Sequence, residues 1–135
     1  MPNHVINGRT VAAAMLEGVL SDVDALREEG WIPQLVSIRI GDSPAVDLYV
    51  RNQKRNADKV GVQFVEKRFP FNISEAEVHA TILNLNVDPR VTGIILQRPI
   101  PENLPIKHLQ TTIHPLKDVE GMHPASIGNI VYREL

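Results

Sequence analysis

The sequence predicts an α/β fold, a parallel sheet in a three-layer α/β/α arrangement. Three observations carry that prediction. Segments with helical spacing of apolar residues alternate with short strand-like segments, in the order α-β-α-β-α-β-α. The last strand-like segment, Val91-Thr-Gly-Ile-Ile-Leu-Gln-Arg98, is a nearly continuous apolar run, as in a strand covered on both faces. Glycine and proline mark the breaks, at Gly30, Gly41-Asp-Ser-Pro44, Gly61 and Asp88-Pro89.

The elements follow in order. From Thr10 to Glu29 the residues Val11, Met15, Leu16, Val19, Leu20, Val23 and Leu26 form one apolar stripe of a helix, with Thr10 as N-cap and Gly30 beyond its end. Pro33 to Gly41 alternates, with Val36, Ile38 and Ile40 on one face, and predicts a strand ending in a turn. A second helix runs from Pro44, whose missing N–H is harmless in a first turn, to Val60. Val62 to Phe69 reads as a strand, and Glu66, Lys67 and Arg68 make it an edge. Ser74-Glu-Ala-Glu77 is a capping box opening a helix that carries Val78, Ile82 and Leu85. Pro99 and Pro101 end the strand at 91–98. A short helix over Ile106 to Ile113, a loop from His114 to Pro124 and a final turn or helix near Ser126 to Tyr132 complete the chain.

At 135 residues the chain is one domain, given roughly 150 residues per domain. Its 43% hydrophobic and 22% charged content is that of an ordinary globular protein. Fourteen Lys and Arg against sixteen Asp and Glu leave no basic excess, so no nucleic-acid partner is expected. The absence of cysteine excludes disulfides and thiol catalysis. No apolar run approaches the roughly 20 residues of a membrane helix, and the start, Met-Pro-Asn-His-Val-Ile-Asn-Gly, lacks the pattern of a secretory signal. No membrane partner is expected, and the default location is the cytoplasm.

Ligands of open α/β sheets gather outside the carboxyl ends of strands, which directs attention to Gly41-Asp-Ser-Pro44 and Gln97-Arg-Pro-Ile-Pro101. No Gly-x-Gly-x-x-Gly or Gly-x4-Gly-Lys-Ser/Thr cradle for a nucleotide occurs. The histidines, His4, His79, His108, His114 and His123, contain no His-x3-His pair; they read as surface or capping residues, and no metal site is expected. Ser43 and Ser74 sit at turn and cap positions. Tyr49 and Gln53, four apart, share one helix face, with Val46 a turn earlier. From spacing alone Tyr49 reads as a half-buried aromatic with its hydroxyl in water. Asp118-Val-Glu120-Gly121 alone reads as turn chemistry.

Taken together, these segments resemble the N-terminal domain of the bifunctional methylenetetrahydrofolate dehydrogenase/cyclohydrolase family. The resemblance spans essentially the whole chain. It runs through Ile6-Asn7-Gly8, the Gly-Asp-x-Pro-Ala turn, the helix carrying Tyr49, the Ser-x-x-Glu helix start, Gly93-x-x-Leu-Gln97-x-Pro99-x-Pro101, and Lys117-Asp-Val-Glu-Gly121 before His123-Pro124 and Gly128. It implies oxidation of 5,10-methylenetetrahydrofolate with NAD or NADP, followed by hydrolysis of the methenyl product. It further implies that Tyr49 packs on the folate and that Gln97 hydrogen-bonds near the reacting centre. Pro99 matches the turn after the glutamine, and Asp118 and Gly121 match the folate-side loop. The family's NAD(P)-binding Rossmann domain is absent from this chain, which stops at Arg133-Glu-Leu135 about where the link to that domain would begin. Residues 1–135 are therefore expected to be the N-terminal tetrahydrofolate-binding catalytic domain of a longer, homodimeric parent, and inactive alone as a dehydrogenase.

Four positions depart from the family pattern. The catalytic lysine belongs four residues after the tyrosine, where this chain has Gln53. Lys54 and Arg55 lie about 100° and 200° further round the helix. A glutamine hydrogen-bonds but supplies no cation and shuttles no proton. Val46 stands where serine is usual and Arg98 where leucine is usual; both are candidates for the pocket wall. Glu120 replaces the aspartate that reads the pterin. The expectation is a domain that serves the oxidation, with hydrolysis weakened or lost. The alternative is a non-catalytic pterin-binding or interaction module that kept the fold.

Overall fold

A computed structural model describes residues 5–133. The elements are α1 (Gly8–Glu28), β1 (Gln34–Ile40), α2 (Pro44–Val60), β2 (Gln63–Phe69), α3 (Glu75–Val87), β3 (Gly93–Leu96), α4 (Ile106–Thr112) and α5 (Pro124–Tyr132). The strands are all parallel, in the order β2-β1-β3, with Ile38 of β1 opposite Lys67 on one side and Leu96 on the other. His4, at the N-terminus, and the final Glu134 and Leu135 lie outside the described residues.

The two-residue period of β1 divides the interior. Val36, Ile38 and Ile40 face one side and pack with Val78, Ile82 and Leu85 of α3, with Leu109 of α4, and with Ile94 and Leu96 of β3. This is the apolar core. The opposite side of β1 carries Ser37 and Arg39, and it lies beneath Val46, Val50, Ala57 and Val60 of α2. α1 packs in turn against α2. β2 is an edge strand, and its exposed Glu66, Lys67 and Arg68 suit that place. The expected three layers are therefore present.

Local chemistry sets most boundaries as the sequence predicts. Ser74 and Glu77 form both halves of a capping box. Pro44 begins α2, and Gly61 ends it at φ 77°, a conformation that favours glycine. Four boundaries differ. The last strand, expected over 91–98, is confined to Gly93–Leu96. The N-cap of α1 is Asn7 and not Thr10: the Asn7 side chain accepts from the backbone N–H of Arg9 (3.1 Å) and Thr10 (3.4 Å), so the helix starts earlier. The loop at 114–124 contains a single 3-10 turn, Pro115–Lys117, opened by His114, whose ring accepts from Leu116 N–H. α5 starts at Pro124 because His123 caps it in the same way through Ala125 N–H. The stripe of α1 is the larger difference. Val23 is its buried residue, whereas Val11, Met15, Val19 and Leu20 stay exposed among the described residues.

Candidate functional site

The site begins with a glutamine at the end of a buried strand. Gln97 follows β3 directly, is only 4% exposed, and its backbone N–H donates to Ile38 C=O at 2.9 Å. Burying a carboxamide costs free energy unless its polar atoms find partners. Both partners are present. Gln97 Nε2 donates to Ser37 Oγ (2.9 Å) and to Gln53 Oε1 (2.7 Å). The amide nitrogen has two hydrogens, and the two contacts use both. Gln53 comes from α2, one turn after Tyr49, and Tyr49 is 58% exposed. The structure thus joins β1, β3 and α2 through one line, Ser37–Gln97–Gln53, with an aromatic ring on the same helix face above it.

A second buried polar group fixes the start of α2. Arg39 is 3% exposed, donates to Gly41 C=O (3.2 Å) and Ser43 C=O (3.3 Å), and is ion-paired with Asp47. Glu66 and Asp42 stand 3.8 Å away. The Asp47 hydrogen bond raises the Arg39 pKa against the opposing effect of burial, and Arg39 in turn holds the Asp47 carboxyl below its ordinary value. The clamp ties the β1–α2 turn to the first turn of α2. It therefore sets the rotation at which α2 presents Tyr49 and Gln53.

The 118–121 loop runs beside β3 from its amino-terminal half toward Arg98. Asp118 forms a parallel bridge with Ile94 of β3. Its carboxylate accepts from the backbone N–H of Met122 (3.2 Å) and His123 (2.8 Å), which closes the loop on itself. Gly93 permits the approach: a Cβ there would lie 2.5 Å from Val119 Cγ1. Partial desolvation pushes the Glu120 carboxyl above its ordinary value; nearby Arg98 opposes the rise and Asp118 adds to it. Gly121 turns at φ 67°.

Arg98 and Pro99 are exposed and joined by a cis peptide. They line a cleft of about 840 Å³ with Glu102, Lys107, Gln110 and Met122. A second cleft, about 610 Å³, lies between the Gly41–Ser43 turn, Phe71 and Pro99–Asn103. Tyr49, Gln53 and Gln97 are in the walls of neither, so the amide pair sits beside these clefts. Val46 is buried with Val50 on the inner side of α2. Lys54 and Arg55 border a hollow with Leu48 and Asp58 whose walls include neither Gln53 nor Gln97. Ser37, Arg39 and Asp47 are the residues that sequence reasoning missed. The available signal was a serine and an arginine facing inward from the central strand of a sheet covered on both sides.

The structure is a parallel α/β domain with a buried carboxamide pair beside the carboxyl end of its sheet. Residues 6–120 match the family described as tetrahydrofolate dehydrogenase/cyclohydrolase, catalytic domain, and the chain belongs to that family. It is 53% identical over 130 residues to the bifunctional protein FolD 2 of Mesorhizobium japonicum, covering 96% of this chain and 42% of that protein. It is 44% identical over 133 residues to the bifunctional protein FolD of Rhodobacter capsulatus, covering 98% of this chain and 44% of that protein. The chain thus spans less than half the length of these relatives. A FolD methylenetetrahydrofolate dehydrogenase-cyclohydrolase structure from Trypanosoma brucei, complexed with NADP cofactor and inhibitor, superposes with a TM-score of 0.89 at 28% identity, covering 100% of this chain and 46% of that one. The bifunctional FolD enzyme of Campylobacter jejuni gives a TM-score of 0.89 at 29% identity, covering 91% of this chain and 44% of that one.

Proposed function

We propose that this domain binds a reduced folate and presents 5,10-methylenetetrahydrofolate for oxidation to the methenyl form, while hydrolysis of that product is weak. The observation that carries the reading is the bond from Gln97 to Gln53 beneath the face that displays Tyr49. An aromatic ring offers a stacking surface for a pterin or aminobenzoyl ring. A carboxamide pair offers donors and acceptors to the nitrogens around the one-carbon unit. In this reading Tyr49 packs on the folate, and Gln53 and Gln97 orient the reacting end. Asp118 shapes the loop from which Glu120 and Gly121 meet the pterin. Pro99 forms the turn after Gln97, Arg98 flanks it, and Val46 supports the wall from below.

Oxidation depends chiefly on holding the donor and acceptor carbons in line, which a neutral site can do. Hydrolysis also needs proton transfer, and neither glutamine supplies that. The described residues contain no glycine-rich phosphate turn at a helix start, so they do not fit NAD(P). We assign the nicotinamide site to a further domain of a longer, homodimeric protein, with residues 1–135 as its tetrahydrofolate-binding part. The even charge balance fits a small-molecule partner in place of nucleic acid. No helix among the described residues is long and apolar enough to cross a membrane.

Titration of the folded 135-residue chain with tetrahydrofolate tests the reading. Binding is expected, and Tyr49→Ala should weaken it about fivefold, as for loss of one aromatic contact worth ~1 kcal/mol. A folded chain that ignores millimolar tetrahydrofolate would support the non-catalytic module instead.

A further inference from the structure

We infer that Ser37 is a positioning residue, whose hydroxyl holds the Gln97 carboxamide and, through it, Gln53 in the orientation a ligand meets. The inference rests on the folate-binding reading above. Ser37 is 0% exposed in the middle of the central strand, where its neighbours Val36 and Ile38 face the apolar core. A buried hydroxyl is a liability unless it is bonded, and an apolar side chain would fill that place at less cost. Its side-chain partner is the Gln97 amide, 60 residues on in the chain. The sheet register makes this contact: Ser37 lies opposite Ile95, so Ser37 and Gln97 project from the same face of adjacent strands.

The terminal torsion of a glutamine is soft and roughly two-fold, so packing alone leaves the carboxamide free to turn. Two acceptors on one nitrogen remove that freedom. Gln53 takes one Nε2 proton and Ser37 takes the other. Gln53 Oε1 is thereby engaged with Gln97, while its own NH2 group has no hydrogen-bond partner among the described residues and is left to donate to a ligand. Without Ser37, Gln97 keeps one bond, and a buried N–H is left to find another partner by rotating. Gln53 then loses its fixed acceptor contact. Ser37 touches no ligand in this account; it acts through Gln97.

The test uses the 135-residue chain with tetrahydrofolate as the probe. Ser37→Ala should weaken binding about 3- to 10-fold, the range for one neutral hydrogen bond. In a Gln97→Ala background the same substitution should change binding less than about 2-fold, because coupled residues are not additive. In the 15N-labelled protein the Gln97 side-chain NH2 should exchange slowly with solvent, and at least about 10-fold faster in Ser37→Ala. The exposed Gln34 amide, bonded to Gln63, is the control and should not change. If Ser37→Ala does not fold, Ser37→Cys takes its place, since a thiol is a weak acceptor of similar shape. Equal losses in both backgrounds, or an unchanged Gln97 exchange rate, would overturn the proposal. If the unsubstituted chain does not bind tetrahydrofolate, the functional reading fails by itself, and the exchange measurement still decides the role of Ser37.

Discussion

Single residues decide whether the site exists at all. Gly93 shows this most sharply, because a methyl group there meets the branched side chain of Val119 at 2.5 Å. Relief requires Val119 to move away from β3, and the 118–121 loop moves with it. Gly93→Ala should therefore destabilise the chain by about 1–3 kcal/mol, as overpacking does. It should also loosen tetrahydrofolate binding more than its effect on the thermal midpoint alone would suggest; equal binding by the folded variant would separate the loop from the site. Residue-level chemistry was only partly legible. Helical spacing puts Tyr49 and Gln53 on one face, and a strand end puts Gln97 at the sheet's carboxyl edge. That Gln97 meets Gln53 follows from how α2 lies across β1 and β3, which is tertiary information. Ser37 was hidden because alternation suggests an outward face for it, whereas α2 covers that face.

At the scale of elements, the caps and turns were readable because their chemistry is local. The Ser74–Glu77 box, Pro44 and Gly61 each act within a few residues of themselves. Asn7 outcompeted Thr10 because its short carboxamide reaches two free N–H groups at once. The apolar stripe of α1 was visible in the sequence, but a stripe reports what a helix can bury and not what covers it. This yields a paired expectation. Ile82, fully buried beneath the sheet, should cost about 2–5 kcal/mol when cut to alanine. Met15, exposed on α1, should cost less than about 0.5 kcal/mol for the same change, in the range of ordinary surface substitutions. Chemical denaturation of the two variants measures both. Comparable losses would mean that α1 is covered in solution.

The whole molecule is a three-layer domain with two unlike interiors. One side of the sheet is an apolar core that supplies stability. The other holds Ser37, Arg39 and Gln97 under α2, and there the polar side chains tie α2 to the sheet. The sequence announced the layers through its alternating elements and announced the family through its ordered motifs. It did not announce the division, because polar residues within a strand are ambiguous until both faces are known to be covered. In the proposed reading, Gln53 makes this a neutral, hydrogen-bonding site where the family pattern has a lysine that handles protons. Hydrolysis of 5,10-methenyltetrahydrofolate tests it, measured in the polypeptide of full family length carrying this domain and corrected for the spontaneous reaction. The unsubstituted protein should hydrolyse little above background. Gln53→Lys should raise the rate at least about 10-fold, short of the 10² to 10⁴ typical of full general acid–base assistance, because Gln97 is bonded to Ser37 and Val46 offers the new ammonium no hydrogen bond. An unsubstituted protein that already matches its Gln53→Lys variant would contradict the claim and point to another proton carrier near the site.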